Sequence, residues 1–271
     1  MKQVQRVVTV IIFLFLYIPI LLLAVASFNS GSDPAAFKSF TFHNYSALFH
    51  DHFLLPLLGN SLIVAVTASV CAMILGTLAA LGIHAMNKTP RRLALGLANI
   101  PLMNPDIVTG VSLALLFAFV GQLLKTNHIL GFATLLIAHI TFGLPYIILS
   151  VMPKLTQMDP SLTDAALDLG CRPIQAFFKV TLPELTSSIA AGFLMAFAMS
   201  LDDFVISYFV FGPTFVTLPV EIYNYTKKPL PPKIYALFTL LFLAILVVMV
   251  LMNLLQARDA RQERRRRQHG M

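Results

Sequence analysis

The sequence predicts an all-α, polytopic membrane protein with six transmembrane helices, a cytoplasmic helical segment and both termini in the cytoplasm. Three observations carry that prediction. Of the 271 residues, 58% are hydrophobic and only 11% are charged, less than half the charged fraction of a soluble domain. The apolar residues come in long runs of the length a bilayer requires. The Lys and Arg residues also divide unevenly between alternate connecting segments. With a mean hydropathy of +0.81, the chain carries more apolar side chain than a fold of this size can hide, so lipid must be part of its solvent.

About 20 apolar residues in helical form span the hydrocarbon core. Six segments qualify, roughly 7–27, 60–83, 93–121, 129–152, 186–210 and 233–255, within a single transmembrane domain over 1–271. Each is expected to be helical because lipid cannot satisfy open backbone groups. With both ends inside, the inner segments hold Lys2 and Arg6, then Lys88, Arg91 and Arg92, then Lys154, Arg172 and Lys179, and a tail with Arg258, Arg261, Arg264, Arg265, Arg266 and Arg267. The outer loops hold only Lys38, Lys125, Lys227, Lys228 and Lys233. This bias of fourteen to five sets the orientation. The first span admits a rival reading as a cleaved signal peptide, with Lys2 and Arg6 ahead of an apolar run and Ala24-Val25-Ala26 near its end. The run is long for such a peptide, so an uncleaved anchor is expected.

The net charge of +7 invites comparison with nucleic-acid binders. Its clustering in a tail just after an apolar run reads instead as membrane-flanking charge, and no nucleic-acid partner is expected. Cys71 lies in an apolar run and Cys171 in a polar loop, so no disulfide is expected, and neither has metal-ligand spacing. His43, His50 and His52 share the outer loop 28–59 without acidic or thiol company, so no metal is expected there.

The longest inner loop, roughly 153–185, has internal order. Asp159 can cap a helix that starts with Pro160. Leu162, Ala165, Ala166 and Leu169 then fall at i, i+3, i+4 and i+7 as one stripe. Gly170 is placed to end that helix in a left-handed conformation. Pro173 can start a second short helix through Phe177 and Phe178. Pattern alone leaves open a helix lying on the membrane surface.

The literal residues narrow the choice. Asp164-Ala165-Ala166, three residues, Gly170, nine residues, Val180, one residue, then Leu182-Pro183 resembles the EAA motif of ABC importer permeases, where it reads Glu-Ala-Ala, Gly and Ile-x-Leu-Pro. Asp for Glu and Val for Ile keep charge and shape. The resemblance implies that residues 155–184 form a coupling segment docked on cytoplasmic ABC ATPase subunits. It also implies a second homologous permease subunit and a periplasmic or extracellular substrate-binding protein as partners, in an inner (cytoplasmic) membrane. The chain has no Gly-x-x-x-x-Gly-Lys-Ser/Thr phosphate loop. It is therefore not expected to be an enzyme or to carry a cofactor.

Acidic side chains at the centre of a membrane helix cost about 2.5–3.5 kcal/mol each on insertion scales, so they need a reason. Asp106 follows Pro101 and Pro105 in the third span, and Asp202 and Asp203 lie in the fifth. No Lys or Arg shares their spans, and His139 is the nearby titratable base. The two prolines are expected to break or kink the third span, which puts Asn104 and Asp106 beside a cavity. Ser200, Asp203 and Ser207 fall on one stripe, while the neighbours of Asp202 are apolar. Asp203 is therefore assigned to a solute path and Asp202 to helix-to-helix bonding. Glu221 and Tyr223, beyond the fifth span, are weaker path candidates, with the ring able to attract ammonium groups. His139 reads as a buried hydrogen-bonding histidine.

Asn104-Pro105-Asp106-Ile107-Val108, His139-Ile140-Thr141-Phe142, Ser200-Leu201-Asp202-Asp203-Phe204-Val205, Phe211-Gly212-Pro213 and Leu218-Pro219-x-x-Ile222-Tyr223 resemble the second permease of spermidine/putrescine importers. That resemblance implies ATP-driven movement of polyamines into the cytoplasm by alternating access. Unpaired acids suit such a cationic solute. The alternatives are a permease of the same type for another solute and a transporter driven by an ion gradient. An intramembrane serine enzyme built on Ser112 and His139 lacks the surroundings a nucleophile needs.

Overall fold

A computed structural model describes residues 2–31, 33, 36–126, 129–226, 230–247 and 249–250. The end of the predicted span 233–255, the six tail arginines, Lys227 and Lys228 lie outside the described residues. Those that are described form helices joined by short connections: α1 (Lys2–Ser27), α2 (His43–Phe49), α3 (Leu54–Ala85), α4 (Lys88–Met103), α5 (Asp106–Leu123), α6 (Phe132–Gln157), α7 (Pro160–Asp168), α8 (Pro173–Ala176), α9 (Leu182–Asp202), α10 (Val205–Val210) and α11 (Leu218–Thr226), then α12 (Pro232–Val247). A π turn over Phe177–Thr181 links α8 to α9. The segments Gln3–Ser27, Leu54–Ala85, Asp106–Leu123, Phe132–Gln157 and Pro173–Asp202 are long and apolar enough to cross a membrane, and α12 is a shorter apolar helix of the same character.

Two expected spans are not continuous helices. The segment 93–121 divides into α4 and α5. Pro101 stays inside α4, and the break falls at Asn104 and Pro105. Pro105 crowds the residue before it out of the helical region, and Asn104 is accordingly extended, with φ −84° and ψ 136°. The segment 186–210 divides into α9 and α10 at Asp203, extended at φ −63° and ψ 116°. No proline stands there. The break rests on the Asp203 carboxylate, described below.

The chain forms two compact units. The larger, Leu57–Tyr223, centres on α6, the most buried of its long apolar helices. Close approach to α6 depends on small residues, as membrane helix packing generally does. A methyl group on Gly76 would lie 2.7 Å from Ile147 Cβ, and one on Gly192 would meet Ser150 and Ile147 at 3.1–3.2 Å. Gly143 fits likewise against Ala72 and Ala196. Ile147, Ile148, Val151, Leu155, Leu185 and Ala196 form the resulting core. A second core gathers Val64, Phe117, Leu135, Ala138, Phe142, Ile206 and Val210.

The smaller unit holds Met1–Pro56 and Asn224–Met271. In it the side chain of Asn29 organises the loop after α1: Nδ2 donates to the carbonyls of Asp33 and Ala36, and Oδ1 accepts from the N–H groups of Gly31 and Lys38. Asp51 caps the start of α3, accepting from the N–H of Phe53 at 2.8 Å and of Leu54 at 3.0 Å, and pairs with Lys233 Nζ at 2.5 Å. Burial pushes the Asp51 carboxyl up, but the Lys233 ammonium and the two backbone donors outweigh it and hold the group below its ordinary value of 3.8.

Candidate functional site

Two places on the larger unit concentrate the polar residues that the sequence singles out: the paired helix breaks, and the short helices between α6 and α9.

At the α9–α10 break, the carboxylate of Asp203 does the work of a helix cap. Its Oδ1 accepts from the N–H of Ile206 at 3.2 Å. Its Oδ2 accepts from the N–H of Ser207 at 2.8 Å and from the Ser207 hydroxyl at 2.9 Å. These bonds satisfy donors that the first turn of α10 would otherwise leave open. His139, on α6, reaches the same place. Its Nδ1 lies 2.6 Å from Ser200 Oγ, its Nε2 2.9 Å from Ser207 Oγ, and its Nε2 3.6 Å from Asp203 Oδ2. The His139 and Asp203 side chains are only 2% and 7% exposed.

Asp202, one residue earlier, is exposed. This reverses the division expected from the sequence. Asp203 makes the structural bonds, and Asp202 is the carboxylate that faces outward. Asp203 has left helical geometry, so the 100° step between adjacent helical residues does not apply to this pair, and the side on which α6 packs decides which acid turns inward.

Beside the break stands an aromatic group that the sequence reading found only in part. Tyr223 stacks on Phe204 with centroids 4.6 Å apart and meets Tyr208 edge-on at 5.8 Å. Phe204 and Tyr208 lie 5.4 Å apart. Both tyrosines are exposed. The signal for Phe204 and Tyr208 is their spacing of four across the start of α10, which sets two rings on one side. Glu221 is half-buried on α11.

The other break lies next door. Gly110, one turn into α5, packs on α10: a methyl group there would sit 2.8 Å from Phe209 Cδ2 and 3.4 Å from Ile206 Cα. Asp106, at the start of α5, is exposed. Asn104 Nδ2 donates to Thr109 Oγ1 at 3.3 Å, bridging the break. Exposed carboxylates and exposed rings at interrupted apolar helices form a surface that attracts cations.

The second place is the segment 155–184. Asp159 Oδ1 accepts from the N–H of Ser161 at 3.0 Å and caps α7. That backbone bond, with the Ser161 hydroxyl, holds the carboxyl below its ordinary value. Gly170 adopts φ +87°. The N–H of Gly170 donates to the Leu167 carbonyl and that of Cys171 to the Ala166 carbonyl, the paired bonds of a glycine-terminated helix. Asp164, Ala165, Leu162 and Leu169 are exposed on α7, while Ala166 is buried, so only part of the expected stripe faces outward. Ile174 and Phe178 extend the exposed apolar surface. Val180 and Leu182 are half-buried and Pro183 exposed, at the junction of the π turn with α9. Lys154 and Glu184, 3.5 Å apart, join α6 to α9 beside this segment.

Among the described residues, no group of three or more His, Cys, Asp or Glu is placed to hold a metal ion.

Comparison with known proteins gives a consistent set of relatives. The family described as "Binding-protein-dependent transport system inner membrane component" matches residues 72–264. The putrescine transport system permease protein PotI of Escherichia coli (strain K12) is 37% identical over 231 residues, covering 84% of this chain and 82% of that protein. The spermidine/putrescine transport system permease protein PotC of the same strain is 37% identical over 229 residues, covering 84% of each. Among solved structures, a bacterial alginate ABC transporter, in complex with an alginate pentasaccharide-bound periplasmic protein, superposes with a TM-score of 0.73 at 16% identity. That match covers 95% of this chain and 94% of the other. An amino acid ABC transporter with histidines superposes with a TM-score of 0.54 at 19% identity, covering 82% and 100%. At these identities the two structures speak to the fold.

Proposed function

The chain belongs to the family of binding-protein-dependent transport system inner membrane components, as a multi-pass permease subunit of an ABC importer, and on that premise we propose that its solute is a polyamine such as spermidine or putrescine. The observation that carries the proposal is the 37% identity to both PotI and PotC over 84% of this chain. The chemistry of the helix breaks supports it. A linear polyammonium ion would offset the cost of exposing Asp202 and Asp106 in an apolar setting, and the Phe204, Tyr208 and Tyr223 rings would accept its ammonium groups by cation–π attraction.

The partners follow from the same reading. ATP is hydrolysed by separate ABC ATPase subunits. The segment 155–184, with Leu162, Ala165, Leu169, Ile174 and Phe178 exposed, docks on them. Movement of the docked segment passes into α6 and α9, which flank it. A second homologous permease completes the membrane portion, and an external substrate-binding protein delivers the solute. The chain lies in the inner membrane with six crossings and both ends in the cytoplasm. Asn104, Glu221 and Tyr223 line the route with the two exposed acids.

The test is uptake of labelled spermidine and of labelled putrescine into proteoliposomes that hold the full complex. ATP-dependent uptake of either, reduced at least tenfold by Asp202→Asn in a complex that still assembles, is expected. An assembled, ATP-hydrolysing wild-type complex that moves neither polyamine would overturn the proposal.

A further inference from the structure

His139 bridges the α9–α10 break from a third helix. Ser200 lies three residues before Asp203 and Ser207 four after it, and one imidazole ring of α6 bonds to both. For a neutral imidazole, the direction of the Ser207–Asp203 bond sets the other hydrogens. The Ser200 hydroxyl donates to Nδ1, and an Nε2–H donates to Ser207 Oγ. The Ser207 hydroxyl donates in turn to Asp203 Oδ2. Asp203 is held through this chain at Oδ2, and at Oδ1 by the Ile206 N–H. The extended backbone at Asp203 is held with it, and so is the peptide that joins it to Asp202. A buried polar chain of this kind has few alternatives, because any rotation that parts one bond strands a polar group away from water.

We infer that His139 is a positioning residue: by pinning Ser200 and Ser207 across the break, it fixes the direction in which the Asp202 carboxylate is presented to a cationic solute. The role of Asp202 rests on the polyamine reading, whereas the pinning itself does not. A change of angle between α9 and α10 would part His139 from Ser200 or from Ser207.

The experiment measures the position of residue 202 directly. In the full complex, with Cys71 and Cys171 replaced by Ser, Asp202→Cys is labelled with the cationic thiol reagent methanethiosulfonate ethylammonium. The rate is compared with and without His139→Phe, which keeps a ring but removes both bonds. A change of at least fivefold in labelling rate is expected. Equal rates overturn the inference. Should the Phe variant fail to assemble, Ser200→Ala, which opens only the α9 side, carries the same comparison. Transport supplies the second arm. His139→Phe should raise KM for spermidine about fivefold in the wild-type background and leave it unchanged when Asp202→Asn is already present. Additive effects would mean that His139 acts independently of Asp202 and would overturn the positioning role. A wild-type complex that moves no polyamine would sink the solute assignment, while the labelling result would still decide the pin.

Discussion

The neighbouring aspartates at the α9–α10 break should respond to substitution in opposite ways. Asp203→Ala removes the acceptor for the Ile206 N–H, the Ser207 N–H and the Ser207 hydroxyl at once. Loss of a helix cap costs about 0.5–2 kcal/mol, and a buried donor left without a partner costs about 1–3 kcal/mol. Ser207 is fully buried, and its hydroxyl and N–H both lose Asp203, although His139 still reaches the hydroxyl. The sum is about 1.5–5 kcal/mol, large against the total stability of any domain. Asp203→Asn should cost less, since one amide oxygen still caps α10 while its NH2 group faces a donor. Asp202→Asn leaves an exposed side chain of the same shape and should change stability by less than about 0.5 kcal/mol, while polyamine uptake falls at least tenfold. The assay is thermal inactivation of the purified complex beside uptake in proteoliposomes, for all three variants. If Asp203→Ala melts like the wild type, or if Asp202→Asn transports normally while Asp203→Asn does not, the assignment of the inner and outer acids is wrong.

Three further outcomes follow from the packing. Gly76→Val should lower the melting temperature of the complex by overpacking against Ile147, at a cost of about 1–3 kcal/mol; Ile147→Ala should restore part of it, and Gly82→Ala, with nothing within 4 Å, should be silent. The Asp51–Lys233 pair should stabilise the smaller unit fully above the ordinary carboxyl value of 3.8, and the contribution should fade as pH falls through the lowered folded value. Melting curves of wild type and Asp51→Ala should therefore differ most at neutral pH and converge once the pH is below the lowered folded value. Gly170→Val meets no neighbour, so its effect is the backbone cost of about 1–2 kcal/mol for a left-handed residue. If the α7–α8 turn transmits force, spermidine moved per ATP hydrolysed should at least halve, and unchanged coupling would refute that use of the turn.

The features written in local chemistry were legible before the fold was known. Asp159, Pro160 and Gly170 define α7 by capping alone, and the structure uses each at the expected position. Pro105 announces the break before α5 because it constrains the residue preceding it. The break at Asp203 carries no such mark. An aspartate can cap a helix only where the chain has already left helical geometry, and the ring that bonds to both sides of this break, His139, lies more than sixty residues away in sequence. The burial of Ala166 beside the exposed Ala165 escaped for a related reason. A stripe of small residues fixes a helical face but not the neighbour that covers part of it. The aromatic group of Phe204, Tyr208 and Tyr223 needed α11 to fold back towards α10, which composition cannot encode.

The π turn at Phe177–Thr181 acts as a phase setting between the short helices α7 and α8 and the long one that follows. A π turn carries one residue more than an α turn in the same helix. Removing a residue there would restore ordinary winding and rotate everything after Leu182 by about 100° relative to α7 and α8. The face of α9 that meets α6, with Gly192 against Ile147 and Ser200 against His139, is thus indexed by the residue count of a turn that touches neither. Length in this stretch, more than side-chain identity, ties the orientation of α7 and α8 to the direction in which the paired acids point.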